Sequence, residues 1–253
     1  MNLTLKNLVR RWVVPFADPR QITSLTLLPR FLFEVKRFRR LAEGESVPWC
    51  ETYPCLQDRL DRTPFDPHYF YQGAWLARRL SATKPRFHVD VGSSVTMLSV
   101  LSAGVPIVFL DYRPIAVQLL GLQCVGGTAT KLPFQDNAVA SLSSLHVIEH
   151  IGLGRYGDPL DPQGSKRAAS ELLRVLQPGG RLFLSVPVGR ERVCFNAHRV
   201  FAPHTVQSFL PDLRLESFSF VDDVGRFRER VPLEAASNLE YGCGLFEFVK
   251  ARV

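Results

Sequence analysis

The sequence has few cysteines, little acid relative to base, and no long apolar run. Its five cysteines (Cys50, Cys55, Cys124, Cys194, Cys243) are odd in number and scattered, with no Cys-x-x-Cys pair. That argues against a zinc ribbon, a dithiol redox site or a secreted disulfide scaffold, and no metal is expected. No apolar stretch is long enough to cross a bilayer. Arg10, Arg11 and Trp12 stand where a secretory leader would need uninterrupted apolar residues, so a cytoplasmic protein is expected. Internal repeats and low-complexity tracts are absent too. What is present, 46% hydrophobic and 22% charged residues over 253 positions, fits one α/β domain with an appendage.

The net charge of +7 is concentrated near the start. Lys6, Arg10, Arg11, Arg20, Arg30, Lys36, Arg37, Arg39 and Arg40 outnumber Asp18 and Glu34, interleaved with Trp12, Phe16, Phe31, Phe33 and Phe38. Such a segment reads as a helical arm packed on its own domain with its bases in water, or as one making peripheral contact with an anionic membrane. Pro15, Pro19 and Pro29 are expected to break it into short helices. Residues 1–65 form this basic, partly helical extension, and 47–67, rich in Pro, Asp and aromatics, read as loop. The second domain is expected over 66–253, opening with a helix at Asp66-Pro67 that stops at Lys84-Pro85.

Beyond Pro85, short β-rich runs alternate with helical ones. Strands are expected at 87–91, 107–110, 123–125, 139–145, 181–186, 214–221 and 245–251, with helices at 95–103, 114–120, 162–176 and 203–210. Alternation of this kind predicts a mostly parallel sheet with helices on both faces. In such sheets ligands lie beyond the carboxyl ends of the strands. There the first strand runs into Asp90-Val91-Gly92-Ser93-Ser94, where Gly92 permits a tight turn and a serine can cap the next helix. The second ends in Asp111, about 20 residues after Asp90, the position from which an acid grips ribose hydroxyls. The further glycines that let a pyrophosphate approach are missing, which disfavours NAD and FAD. S-adenosylmethionine carries a ribose and no phosphate, and escapes that objection.

Several segments then resemble class I S-adenosylmethionine-dependent methyltransferases. Phe87-His88-Val89-Asp90-Val91-Gly92-Ser93 is similar to that family's first motif, Val108-Phe109-Leu110-Asp111 to the second, and Gly127-Thr128-Ala129-Thr130-Lys131-Leu132-Pro133-Phe134 to the third. Leu145-His146-Val147-Ile148-Glu149-His150 and 171–182 resemble the end of its fourth strand and the following helix-turn-strand. The resemblance implies a Rossmann-like, seven-stranded, mostly parallel sheet whose last strand is antiparallel. It implies S-adenosyl-L-methionine held by Asp90, Gly92, Ser93, Asp111, Tyr112, Thr128, Ala129 and Leu145. Ser94 replaces a frequent glycine, and Thr128 stands where an aspartate usually reads the adenine. The stretches 143–162, 185–189 and 195–199 are similar to a methyltransferase-like family of unknown function.

Those stretches follow the fourth and fifth strands and are expected to converge over the methyl group. His150, His146 and His198 are candidate bases, with Glu149 or Asp158 orienting an imidazole or gripping a polyol. Arg155, Tyr156, Asn196 and Arg199 are candidates for binding an anionic or sugar-like acceptor. The same residues equally suit a hydrogen-bonded loop scaffold. His146-x-x-Glu149-His150 also fits an inverted zinc-protease pattern, but that pattern needs a helix and 139–145 read as a strand. The expected activity is O-methylation of a sugar, glycan or other polar small molecule. A non-catalytic descendant that binds a nucleoside or a partner is the alternative. Nucleic acid is disfavoured as a substrate because no Asn-Pro-Pro-Tyr-like segment follows the fourth strand.

Overall fold

A computed structural model describes residues 12, 19–42 and 46–252. The expected features at Lys6, Arg10, Arg11, Pro15, Phe16 and Asp18 lie outside the described residues. The chain divides after Pro64 into two compact units. In the first, helix α1 spans Pro19–Leu41, and a short 3-10 turn follows at Trp49–Glu51. Pro29 lies inside α1 without ending it, contrary to the expected break. Proline tolerates the helical φ and forfeits one backbone bond, and Pro19 sits at the first turn, where its missing N–H costs nothing. Arg30 pairs with Glu34 one turn on at 3.1 Å, and Arg39 lies 4.0 Å over the Trp49 ring. No helix among the described residues is long and apolar enough to cross a membrane.

The second unit opens on α2, Pro67–Thr83, capped by Asp66 accepting from the His68 and Tyr69 amides. It then runs β1 His88–Val91, α3 Val95–Leu101, β2 Ile107–Asp111, β3 Leu122–Gly126 and β4 Val139–Leu145. There follow α4 Gly164–Val175, β5 Leu176–Val188, β6 Arg192–Cys194, β7 His198–Val200 and α5 Pro203–Ser208, then β8 Leu213–Val221, β9 Phe227–Arg228 and β10 Gly242–Lys250.

The large sheet has the order β3-β2-β1-β4-β5-β10-β8-β9. The first five strands are parallel, and β10 enters antiparallel between β5 and β8. The fold is the expected Rossmann-like α/β one with a larger sheet: the two-residue β9 makes eight strands rather than seven. A separate hairpin, β6 with β7, turns at Asn196, whose φ of +61° suits the left-handed tolerance of asparagine.

Successive residues of the central strands face opposite sides, and two cores result. Trp75, Leu76 and Leu80 of α2 and Leu98 of α3 pack with Ile107, Phe109, Leu145, Phe183 and Leu245. Ala168, Ala169, Leu172 and Val175 of α4 pack on the other face with Val89, Val91, Leu110, Leu142 and Leu182. Each fully buried large side chain contributes about 1.5–3 kcal/mol.

One expected helix, at 114–120, does not form: the chain runs irregularly from Tyr112 to an isolated bridge at Leu119. A helix of two turns needs a buried face to offset nucleation. Here Leu119 and Leu120 are exposed, while Arg113 N is taken by Asp111 Oδ1 in an Asx turn at 2.7 Å.

Candidate active site

The order of the strands reverses between the parallel β1 and β4, leaving a crevice at their carboxyl ends. The loop after β1 is built on Asp90. This carboxylate is fully buried and accepts from Ser93 N at 3.0 Å, from Ser93 Oγ at 2.7 Å and from Ser143 Oγ of β4. Ser93 Oγ in turn accepts from Leu145 N at 2.9 Å. Burial pushes the Asp90 carboxyl up to about 6 against those donors. Next to it, His88 is held between Ser141 and Ser143 at 2.7 and 2.8 Å, and burial drives its imidazole down to about 3. Gly92 turns above this network with a φ of +74°.

The cleft above is lined by Val91, Gly92, Leu110, Asp111, Tyr112, Arg113, Thr128, Ala129, Thr130, His146, Val147, His150, Ile151, Gly152, Tyr156, Asp158, Pro159, Asp161 and Arg167. Of the eight residues expected to hold the cofactor, Gly92, Asp111, Tyr112, Thr128 and Ala129 line it. Asp90, Ser93 and Leu145 do not. The first two are spent tying the glycine turn to β4, and Leu145 is a core side chain under α2. Thr128 Oγ1 lies 3.0 Å from Thr130 Oγ1 and closes a small turn.

His146 follows β4 with a φ of +56°, a backbone state that costs a non-glycine residue energy and marks a constrained position. Its Nδ1 lies 3.0 Å from Glu149 Oε1, and His150 Nε2 lies 3.7 Å from the same oxygen. Glu149 is fully buried, and among the described residues no donor meets either carboxylate oxygen with hydrogen-bond geometry. Although burial lowers it, Cys243 and Glu149 hold the His146 imidazole well above its ordinary range. His150 is shifted down, by burial first and Arg155 next, against the opposing pull of Glu149 and the Ala197 carbonyl. Its Nδ1 lies 2.5 Å from that carbonyl, which only accepts, so Nδ1 carries the proton.

His198 stands outside the lining, its ring 6.4 Å from that of His150 and 5.2 Å from that of Tyr241. Burial, with Glu149 nearby, pushes the Tyr241 phenol up to about 12.

The loop after β4 explains the other candidates. Asp158 lines the cleft but spends its oxygens on Gly152 N at 2.6 Å and Tyr156 N at 3.3 Å, shaping the turn instead of gripping an imidazole. Arg199 is not available to a substrate. Buried among carbonyls, its guanidinium donates to Ile151 O at 2.7 Å, Glu149 O at 3.4 Å, Asp161 O at 3.3 Å and Ser165 Oγ at 2.9 Å. Asn196 Nδ2 reaches Leu153 O at 3.5 Å from the β6–β7 turn. Arg155 donates to Ala197 O at 3.2 Å and lies 5.1 Å over the Tyr156 ring, with Arg113 at 4.5 Å from the same ring. Tyr156 is thus bracketed by two cations at the cleft wall. Arg113 and Arg167 were missed by sequence reasoning; Arg113 could have been found from its place two residues after Asp111.

The lining combines apolar residues, Val91, Leu110, Ala129 and Ile151, with the carboxylate-bearing Asp111, a set of the chemistry that a nucleoside calls for. At Gly92 the backbone comes so close that a Cβ would meet Val147 Cγ1 at 2.9 Å, a cradle only glycine leaves open.

Comparison with known proteins agrees with this geometry. Residues 132–237, less than half of the chain, match a family described as "Caenorhabditis protein of unknown function, DUF268". No curated protein matches the sequence. Among solved structures, the N-methyltransferase NodS of Bradyrhizobium japonicum, in complex with S-adenosyl-L-homocysteine, is similar at a TM-score of 0.50 and 15% identity over 84% of this chain and 95% of that one. The YcgJ protein of Bacillus subtilis is similar at a TM-score of 0.51 and 12% identity over 73% of this chain and all of that one. A provisionally assigned sarcosine dimethylglycine methyltransferase of Galdieria sulphuraria gives a TM-score of 0.52 and 16% identity over 72% and 86%. The chain therefore has the fold of class I S-adenosylmethionine-dependent methyltransferases.

Proposed function

We propose that this protein is an S-adenosyl-L-methionine-dependent methyltransferase acting on a hydroxyl of a sugar or other polar small molecule. The observation that carries this reading is one continuous cleft in which the Asp111 carboxylate, at the end of β2, and the His146/His150 pair, after β4, share a wall line. Asp111 would accept from both ribose hydroxyls, Gly92 would let the chain of the cofactor pass, and Tyr112 and Ala129 would flank the base. When bound, S-adenosylmethionine supplies an electrophilic methyl on sulfur.

The chain's own part is to place the acceptor in line and to remove its proton. His150 is suited to the second task. Its Nδ1–H is pinned by the Ala197 carbonyl, so the neutral ring offers Nε2, and the imidazolium formed on proton uptake faces the buried Glu149. Tyr156, flanked by Arg113 and Arg155, offers an aromatic face with adjacent cations, which suits a polyol or an anionic sugar.

The test is calorimetric titration with S-adenosylmethionine and S-adenosylhomocysteine, followed by transfer of labelled methyl to a panel of glycans and polar metabolites. Saturable binding of both nucleosides and label in a hydroxylated acceptor are expected. No binding of either nucleoside would remove the reading. Binding without transfer to any acceptor would favour a non-catalytic nucleoside binder, toward which the self-engaged Thr128 hydroxyl points.

A further inference from the structure

At the edge of the cleft, His146 meets two groups that the methyl-transfer reading leaves unused. His68 is the second residue of α2, His146 follows β4 and Cys243 lies on β10. One nitrogen of each imidazole and the Cys243 sulfur lie within 4.8 Å of one another. We propose that His68, His146 and Cys243 form a binding site for a soft divalent cation, zinc by preference.

The donor set is the first argument. Two imidazoles and a thiolate select zinc over calcium or magnesium, and three protein ligands leave one position for solvent or an acceptor oxygen. Ligand atoms around tetrahedral zinc are separated by about 3.3–3.6 Å, given bonds of about 2.0–2.3 Å. His146 Nε2 and Cys243 Sγ are already 3.1 Å apart. The His68 and His146 rings are stacked, with centroids 5.8 Å apart, and small side-chain rotations close the remaining distance.

Glu149 provides the second, independent argument. Metal-bound histidines commonly donate their other ring N–H to a carboxylate, which fixes tautomer and orientation. His146 is placed for such a contact: Nδ1 lies 3.0 Å from the buried Glu149 carboxylate while Nε2 faces the thiol. Neither oxygen of that buried carboxylate has a hydrogen-bond partner among the described residues, although two imidazoles stand beside it. The left-handed backbone of His146, costly for a histidine, turns its ring toward β10. On binding, the Cys243 thiol loses its proton to solvent and the thiolate takes a coordination bond.

The site shares His146 with the methyl-donor cleft, while His68 and Cys243 lie outside its lining. The test uses the full chain with Cys50→Ser and Cys55→Ser, stripped of metal and titrated with cobalt(II), then with zinc in competition. One equivalent of cobalt should give a thiolate-to-metal charge-transfer band and tetrahedral visible bands, both abolished by zinc. His68→Gln should weaken zinc binding about a hundredfold, and Glu149→Gln about 10–100-fold. Cys243→Ala should remove the charge-transfer band. If that core variant does not fold, the half-buried His68→Gln decides. Absence of the band in the parent chain, or a band and affinity unchanged by His68→Gln, would overturn the site. Titration of S-adenosylhomocysteine into zinc-free and zinc-loaded protein reports separately on the cleft.

Discussion

Gly92 and Asp111 approach each other across the cleft so closely that a side chain begun at Gly92 would lie 3.7 Å from Asp111 Oδ2. The glycine has a φ of +74°, and Val147 closes the other side at 2.9 Å. Alanine here would carry a left-handed backbone cost of about 1–2 kcal/mol and would crowd the nucleoside. Gly92→Ala should therefore weaken S-adenosylhomocysteine at least about tenfold by calorimetry, a change of about 1.4 kcal/mol. Unaltered affinity would show that the ligand does not pass this turn.

Asp111 and His150 should separate binding from turnover. Hydrogen bonds to a charged group contribute about 1.5–3 kcal/mol, so Asp111→Ala should weaken the cofactor by about 10–100-fold. His150→Ala should leave cofactor affinity within about twofold and slow transfer by about 10²–10⁴. Equal cofactor affinity in the Asp111 variant and the parent would remove the ribose assignment.

The Arg199 clamp makes a stability prediction. In Arg199→Leu the carbonyls of Glu149, Ile151 and Asp161 lose a common donor. Glu149 O and Asp161 O keep the Arg199 and Gly164 amides, so Ile151 O alone is left bare; a bare buried acceptor costs about 1–3 kcal/mol, and a loss of that size in urea unfolding is expected. A loss under about 0.5 kcal/mol would mean that solvent or a substrate already serves that oxygen.

The His88–Ser143–Asp90 network links stability to acid in two opposed ways. Folding lowers His88 from 6.5 to about 3, so between those values the unfolded chain takes a proton that the folded one refuses, and stability falls as pH drops. Folding raises Asp90 from 3.8 to about 6, so in that narrower window the folded chain holds the extra proton and stability rises as pH drops. The two slopes offset each other between about 4 and 6. Urea midpoints measured from pH 7 to 4 should decline more steeply in Asp90→Asn than in the parent, and less steeply in His88→Gln. Identical slopes in all three would refute the coupling.

Much of this molecule is legible in the sequence where a residue's neighbours in the chain decide its role. The apolar run at 139–145 is buried on both faces, and β4 spans the expected Val139–Leu145. Asp66-Pro67 caps α2 because a carboxylate followed by proline has few other uses. The helix expected at 114–120 from the alternation of strands and helices does not form, because Val117, Leu119 and Leu120 find no cover. Arg199 and Asp158 looked like binding groups because their partners are backbone atoms, of a distant loop for Arg199 and of its own loop for Asp158, and backbone atoms are invisible as residue types. The His68, His146 and Cys243 cluster was hidden for a related reason. It depends on α2 and the inserted β10, which meet β4 only after the sheet is assembled.

That insertion has a bearing on biosynthesis. β10 lies later in the chain than both strands it separates. While the polypeptide emerges from the ribosome, β5 and β8 therefore wait with unpaired edges until Gly242–Lys250 is released. Chains terminated before that segment would expose two sticky borders to chaperones and proteases instead of one closed sheet. A premature stop in this region should thus be read in cells as a misfolding lesion, well before any question of lost chemistry arises.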